Sequence, residues 1–416
     1  MTENPFKPRY FTTDGYLLFI TRAVRLFAYG FLSVVLVLYL AQVGLSDVQI
    51  GLLLSLTLVG DTLISLWITT NADRIGRKRM LMAGAGLMLF AGLLFALTHD
   101  FLFLLIAGTI GVISPSGNEV GPFLALEQAA LSQIVTNERR THVFAWYNLV
   151  GSFATALGAL CGGGLAQILQ GAGFSALDSY RADVAGYALL GVVLAILFSR
   201  LSGSVEAPPG STQTASRLGL HRSRKVVFKL SALFSLDAFA GGFVVQSVVA
   251  YWFHARYGVE PAVLGSIFFG ANILAGISAL SASRIAAKIG LINTMVFTHV
   301  PSNVLLMLVP LMPSLPLAIA VLLLRFSISQ MDVPTRQSYT MMVVAPDERS
   351  AAAGVTGIAR TTGAAISPVF TGPLLGDPAL LGVVFLISGG LKIVYDFLLY
   401  RNFRASQSPE RHSQVQ

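Results

Sequence analysis

A chain of 416 residues that is 54% hydrophobic and only 12% charged, with a mean hydropathy of +0.71, is not an ordinary soluble domain. Such domains carry about 25% charged residues. The net charge of +8 would suit nucleic acid, but the bases are not gathered on one domain or helix, which excludes that partner. The single Cys161 excludes an intramolecular disulfide and any multi-cysteine metal site.

Apolar windows of about 20 residues or more, long enough for a tilted membrane helix, recur in chain order. The first runs near 15–42, behind Lys7 and Arg9. It lacks a short apolar core with a small-residue cleavage site, so it reads as an uncleaved helix, not a signal peptide. Further windows lie near 49–70, 80–98, 101–126, 140–166 and 184–202. A polar stretch over 203–226, rich in Ser, Pro, Gly, Arg and Thr, reads as a solvated linker. The second set lies near 227–254, 262–284, 291–310, 316–343, 350–375 and 379–401, followed by a disordered tail over 404–416. Placing both termini in the cytoplasm leaves only Arg181 and Arg256 outside, with most other bases inside, as the positive-inside rule requires.

The two sets repeat. A shift of 214 lays Gly44, Gly51 and Gly76 on Gly258, Gly265 and Gly290. It also lays Ala72-Asp73-Arg74-Ile75-Gly76 on Ala286-Ala287-Lys288-Ile289-Gly290. A shift of 210 matches Glu138-Arg139 to Glu348-Arg349. Parallel six-helix repeats of this kind describe a transporter fold.

The loop Asn71 to Arg79 carries one acid and four bases between two apolar windows. Its Ala72, Asp73, Arg74, Gly76, Arg77 and Lys78 resemble the loop between helices 2 and 3 of the major facilitator superfamily, G-x-L-A-D-R-x-G-R-K, with Thr69 and Asn71 departing from it. The resemblance covers nearly the whole chain. It implies an all-α membrane protein of twelve transmembrane helices in two pseudo-symmetric six-helix halves, residues 1–202 and 227–403, with both termini cytoplasmic. It also implies that helices 1, 4, 7 and 10 line a central cavity, and that Asp73 meets the cytoplasmic end of helix 11, where an acid suits the helix dipole.

Charge inside the bilayer costs roughly 2.5–3.5 kcal/mol per residue even on lenient scales, so each such residue invites a functional reading. The spans hold six bases (Arg22, Arg25, Arg325, Arg336, Arg360, Lys392) and six acids (Asp61, Glu119, Glu127, Asp237, Asp332, Asp396), which suggests pairing. Helix 1 carries Arg22, Arg25, Tyr29 and Ser33 on one face. Helix 4 carries Ser114, Asn118, Glu119 and Pro122; helix 7 carries Asp237; helix 10 carries Arg325, Ser329, Asp332, Arg336 and Tyr339. The candidate substrate and proton cavity is therefore Arg22, Arg25, Tyr29, Asn118, Glu119, Asp237, Arg325 and Asp332. Such stripes can also serve only as helix–helix glue. Asp61 and Arg360 lie at similar depth, and the resemblance, in which helices 2 and 11 face each other between the halves, implies a bridge between them. The repeat puts Glu127 and Arg336 at corresponding places with opposite sign, which suggests a gate in the outward-open state; the competing reading pairs Arg336 with Asp332 on its own helix. Arg74, Arg77, Lys78 and Arg79 serve equally as topology anchors.

No nucleophile–base or metal cluster is visible, and none of the six His is read as lying on a polar stripe, so an enzyme, a cofactor and a metal are not expected. The expected activity is secondary transport of a small organic or ionic solute across the cytoplasmic membrane by a monomer, with proton-coupled export favoured by resemblance. The export signature is degraded, however: Ala107 stands near the expected helix 4 Arg, and Ala159 replaces the Pro of the helix 5 pattern within Gly158 to Gly163. Uptake symport, organic-anion exchange through Arg22, Arg25 and Arg325, and a transport-dead sensor remain alternatives.

Overall fold

The computed structural model describes residues 12–135, 137–206, 220–345, 348–377 and 380–403; the side chains of 137–142, 145 and 349–350 are also outside the description. Lys7, Arg9, Glu138-Arg139, the middle of the expected linker and the expected tail fall outside it. Among the described residues the structure is helical and holds no strand.

The helices are α1 (Thr13–Ser33), α2 (Leu36–Gln42), α3 (Asp47–Ile75), α4 (Arg77–Leu97), α5 (Phe101–Ile110), α6 (Phe123–Ile134), α7 (Asn137–Gly171) and α8 (Ala176–Ser199). They continue with α9 (Arg224–Gly242), α10 (Gln246–Tyr257), α11 (Pro261–Ile289), α12 (Leu291–Leu308), α13 (Leu315–Ser329), α14 (Asp332–Val343), α15 (Arg349–Leu375) and α16 (Val383–Phe403). Local signals set several starts. Thr12, Ser46, Asp100 and Ser175 each accept a hydrogen bond from a first-turn N–H, and Ser46 with Gln49 forms a capping box.

Ten helical stretches among the described residues are long and apolar enough to cross a membrane. Two expected spans are not among them, for different reasons. The 101–126 window is broken into α5 and α6, and α15 is rich in Gly, Ala, Ser and Thr and carries Arg360. Exposed faces are apolar: Leu63, Trp67, Leu102, Ile168, Leu189 and Phe397 are each more than half exposed. Acids and bases such as Arg25, Glu127 and Asp396 are instead fully buried. This is the arrangement that a lipid solvent favours, with charge turned inward.

By internal contacts the chain forms two units, residues 1–214 with 245–269, and residues 215–244 with 270–416. Within the first, α1 packs on α7 and α4 on α8; within the second, α9 packs on α15 and α12 on α16. The first span with the fifth, and the third with the sixth, is thus the pairing scheme of both sets of spans. The α1–α7 contact is backbone to backbone. A Cβ at Gly158 would lie 2.0 Å from the Phe27 carbonyl oxygen, and one at Gly162 would lie 2.1 Å from that of Phe31. Small residues permit this approach in a membrane helix pair.

The charged loop is a tight joint. Gly76, at φ 113°, ends α3 and starts α4, and its repeat partner Gly290, at φ 85°, does the same before α12. Asp73 accepts from Arg77 at 2.7 Å, while the N–H groups of Arg77 and Lys78 donate to Glu206 at 2.6 and 3.3 Å. Lys78 Nζ donates to the Leu201 carbonyl at 2.7 Å, and Arg74 is exposed.

The second unit has its own acidic cap. Glu348 accepts from the N–H groups of His221, Arg222 and Ser223 at 2.6, 2.7 and 2.8 Å. Burial alone would push its carboxyl up, but the Ser223 side chain and those three N–H groups hold it down at about 2. A folded-state value below the ordinary 4.5 means that this contribution is complete above about pH 4.5 and lost as pH falls toward 2. Hydrogen exchange of the 221–223 amides should accelerate across that window in the wild type and already be fast at neutral pH in Glu348→Gln.

Candidate functional site: buried charge clusters on broken spans

Four spans break in mid-course. Helix α1 gives way to α2 at Val34 and Val35, α9 to α10 at 243–245, α13 to α14 at Gln330 and Met331, and α5 to α6 across 111–122. These correspond to spans 1, 4, 7 and 10 of the sequence reading. The longest break, with Gly111, Pro115, Gly117, Gly121 and Pro122, cannot continue a helix. Non-helical backbone at such depth survives only if its polar groups find partners. Here they do. Tyr187 donates to the Val112 carbonyl, Ser247 N–H to Pro115 at 3.1 Å, Thr155 to Gly117 at 3.4 Å and Tyr29 to Val120 at 3.1 Å. Asp61 accepts from Gly121 N–H at 2.6 Å and from Ser65 at 3.4 Å.

The break turns Glu119 and Glu127 onto α1. Arg25 grips Glu127 in a bidentate pair, both bonds 2.7 Å, and donates through Nε to Glu119 at 2.8 Å. Arg22 donates to the other Glu119 oxygen at 2.7 Å and to the Tyr147 carbonyl at 2.8 Å. Thr21 donates to Glu127 at 2.7 Å, and the Tyr147 hydroxyl also donates to it. Two bases and two acids thus form a closed, buried network. Of the stripe Arg22, Arg25, Tyr29 and Ser33 on α1, the two Arg join this network, Tyr29 binds the break, and Ser33 donates to the Gly30 carbonyl at 3.0 Å. Asn118 is exposed; its carbonyl accepts from Ser114 at 2.7 Å.

The second unit centres on Asp237 of α9. Lys392 binds its Oδ1 at 2.6 Å, and Arg336 and Arg360 bind Oδ2 at 3.1 and 3.3 Å. Arg336 also binds Asp332 at 3.0 Å, the pairing four residues apart on one helix. Asp396 accepts from Asn303 at 3.0 Å and lies 2.8 Å from Nδ1 of His299. Arg325 sits on the helix face of Ala318, Leu322 and Ser329, against the Phe326 ring; its Nε is buried without a hydrogen-bond partner among the described residues.

Several sequence expectations need restating. Asp61, expected to bridge to Arg360, caps the backbone of the 111–122 break, and Arg360 binds Asp237. Glu127, expected to gate with Arg336, is committed to Arg25, while Arg336 is committed to Asp237 and Asp332. The expectation that no His lies on a polar stripe is corrected by His299, which is 5% exposed and faces Asp396 in the middle of α12. Its signal was the spacing His299, Ser302, Asn303 opposite Ser388, Lys392, Asp396. Asp183 was also missed because the window began at 184; Ser175 starts the helix earlier, and Asp183 is fully buried with neither carboxylate oxygen hydrogen-bonded among the described residues.

A family model described as Major Facilitator Superfamily matches residues 18–410. The chain belongs to the major facilitator superfamily. It is 31% identical over 417 residues to an uncharacterized membrane protein of Saccharomyces cerevisiae, covering 93% of each chain. It is 25% identical over 139 residues to the quinolone resistance protein NorA of Staphylococcus aureus, covering 33% of this chain and 34% of that protein. Among solved structures, a mutant of the nucleoside transporter NupG matches with a TM-score of 0.74 at 14% identity, covering 94% of this chain and all of that one. A D-xylose-proton symporter matches with a TM-score of 0.73 at 14% identity, covering 93% and 97%. These structures establish the fold, that of superfamily proteins that move a solute through the bilayer. This superfamily member is a multi-pass membrane protein.

Proposed function

We propose that the chain is a secondary active transporter that moves a small organic or ionic solute across the cytoplasmic membrane by alternating access, coupled to protons and working as an exporter. The observation that carries this is the pair of buried charge clusters on broken spans. Burying so many acids and bases in a bilayer is costly unless they pair. A merely structural bundle has no need of them, whereas a cargo or proton can exchange partners within such a network. The partial likeness to a quinolone resistance protein supports the outward direction. The likeness to a proton symporter supports proton coupling without fixing its sense.

Anion exchange is a second reading, favoured by Arg325. Arg22, Arg25, Arg336 and Arg360 each bind a carboxylate, so they are not vacant clamps. Arg325 has no ion pair among the described residues and suits a carboxylate or phosphate on the cargo.

Proteoliposomes containing a lumenal pH dye test both readings against a panel of amphiphilic cations, sugars, nucleosides and organic anions. An exporter exchanging protons for cargo alkalinises an acid-loaded lumen when its solute is added outside. A symporter acidifies the lumen. Solute movement without any proton movement would overturn the proton-coupled reading.

A further inference from the structure

We propose that His299 is a proton-binding site of this transporter, with Nε2 as the atom that takes the proton and Asp237 as the carboxylate that receives the resulting charge. The proposal rests on the proton-coupled reading above and names its site.

The geometry fixes which nitrogen is open. Nδ1 of His299 lies 2.8 Å from Asp396 Oδ1, so one proton occupies that axis. The other Asp396 oxygen accepts from Asn303 Nδ2 at 3.0 Å, which anchors the carboxylate. The second ring nitrogen, Nε2, faces Asp237 Oδ1 at 3.9 Å, too far for a hydrogen bond. A neutral imidazole held through Nδ1–H presents a lone pair at Nε2. The Tyr395 ring packs edge-on to the imidazole, with centroids 6.0 Å apart, and restrains its rotation. Imidazole is the side chain whose charge ordinarily changes near neutral pH.

The groups packed around His299 are accounted for from each element. Helix α9 presents Asp237; α16 presents Lys392, Tyr395 and Asp396; α14 presents Asp332, Arg336 and Tyr339; α15 contributes Arg360; and α13 has Arg325 as its one ionisable residue. Three carboxylates thus stand against three permanent cations at the cluster, with Arg325 outside its ion pairs. A proton on His299 adds one positive charge to a balanced set.

That charge has a defined competitor. Nε2–H and Lys392 Nζ aim at the same oxygen, Asp237 Oδ1, while Arg336 and Arg360 share Oδ2. Proton uptake therefore weakens the hold of Asp237 on its cations. Arg360 has the most exposed side chain of them, at 35%, and is the freest to leave for water or cargo. Ser302 Oγ, Asn303 Oδ1 and Ser388 Oγ are buried without hydrogen-bond partners among the described residues, and lie toward the Leu308 end of α12 and the Val383 end of α16. Their spare capacity marks the side from which a proton can be relayed.

The test is a pH titration of the full-length protein in micelles, with labelled histidine read by NMR, requiring no cargo. One histidine signal should respond to pH in the wild type and be absent from His299→Gln. Identical sets of titrating signals in both proteins would overturn the proposal. Should His299→Gln fail to fold, the same signal is identified in the wild type through its contact with the Tyr395 ring; a His299 signal unchanged across the range would equally overturn the proposal. In proteoliposomes, His299→Gln should lose proton movement by at least tenfold; undiminished proton coupling in the variant would overturn the site while leaving the transporter reading intact. A wild type that moves no cargo would overturn the transporter reading alone, because the histidine titration is read separately.

Discussion

Glu127→Ala should lower stability by about 3–5 kcal/mol, the cost of breaking a buried ion pair by removing one partner. Arg25 and Glu127 are both fully buried, and their pair is bidentate. In the variant, Arg25 keeps only the Glu119 contact through Nε, and the Tyr147 hydroxyl loses its acceptor, while Thr21 keeps the Leu18 carbonyl. Thermal unfolding followed by tryptophan fluorescence in detergent should show a clear drop in Tm. The double variant Arg25→Met with Glu127→Met removes both charges together and should regain most of the loss, since apolar replacement of a whole buried pair is often neutral. Transport should not return with stability, because Glu119 loses Arg25 and is left with Arg22 alone. A Glu127→Ala protein as stable as wild type would show that the network is not closed in the way described.

Asp237→Ala should lower both stability and activity. It removes the carboxylate on which Lys392, Arg336 and Arg360 converge, leaving Asp332 as the acid bound to Arg336. The loss should reach about 3–5 kcal/mol, because buried Lys392 is left without an acid and half-buried Arg360 loses its partner. Asp237→Asn keeps the shape and one acceptor oxygen but not the charge, so it should fold better than Asp237→Ala yet remain inactive. Adding Lys392→Met to Asp237→Asn should raise Tm again by removing one surplus cation. Unchanged transport in Asp237→Asn would remove Asp237 from the mechanism.

The membrane class, the repeat and the identity of most charges buried in the spans were legible in the sequence, because bilayer thickness sets span length and lipid makes buried charge conspicuous. Partners distant in sequence were not, although the Asp332–Arg336 pairing on one helix was. Depth placed Asp61 and Arg360 at one level, but depth is one coordinate, and rotation about each helix axis decides which groups meet. Asp61 is the clearest case. The Gly- and Pro-rich break beside it creates an unsatisfied N–H at Gly121, and a carboxylate can cap a backbone as readily as it can face a guanidinium. His299 was hidden by its apolar neighbours in sequence; its partner Asp396 is 97 residues away. Asp183 was lost at a boundary, where a hydropathy window ends but the helix, capped by Ser175, does not. The breaks in spans 1, 7 and 10 left little trace either, since a few residues of irregular backbone barely alter an apolar window.

If the buried charge clusters carry solute and proton exchange, as proposed, lumenal pH recording in proteoliposomes reads it directly. Wild type and Asp237→Asn, reconstituted at equal density, should differ completely. Wild type should shift the pH of an acid-loaded lumen when one member of the solute panel is added, in the alkaline direction for export by exchange. The Asp237→Asn protein should give no shift. Equal shifts from both proteins, or no solute movement by wild type across the whole panel, would contradict the account.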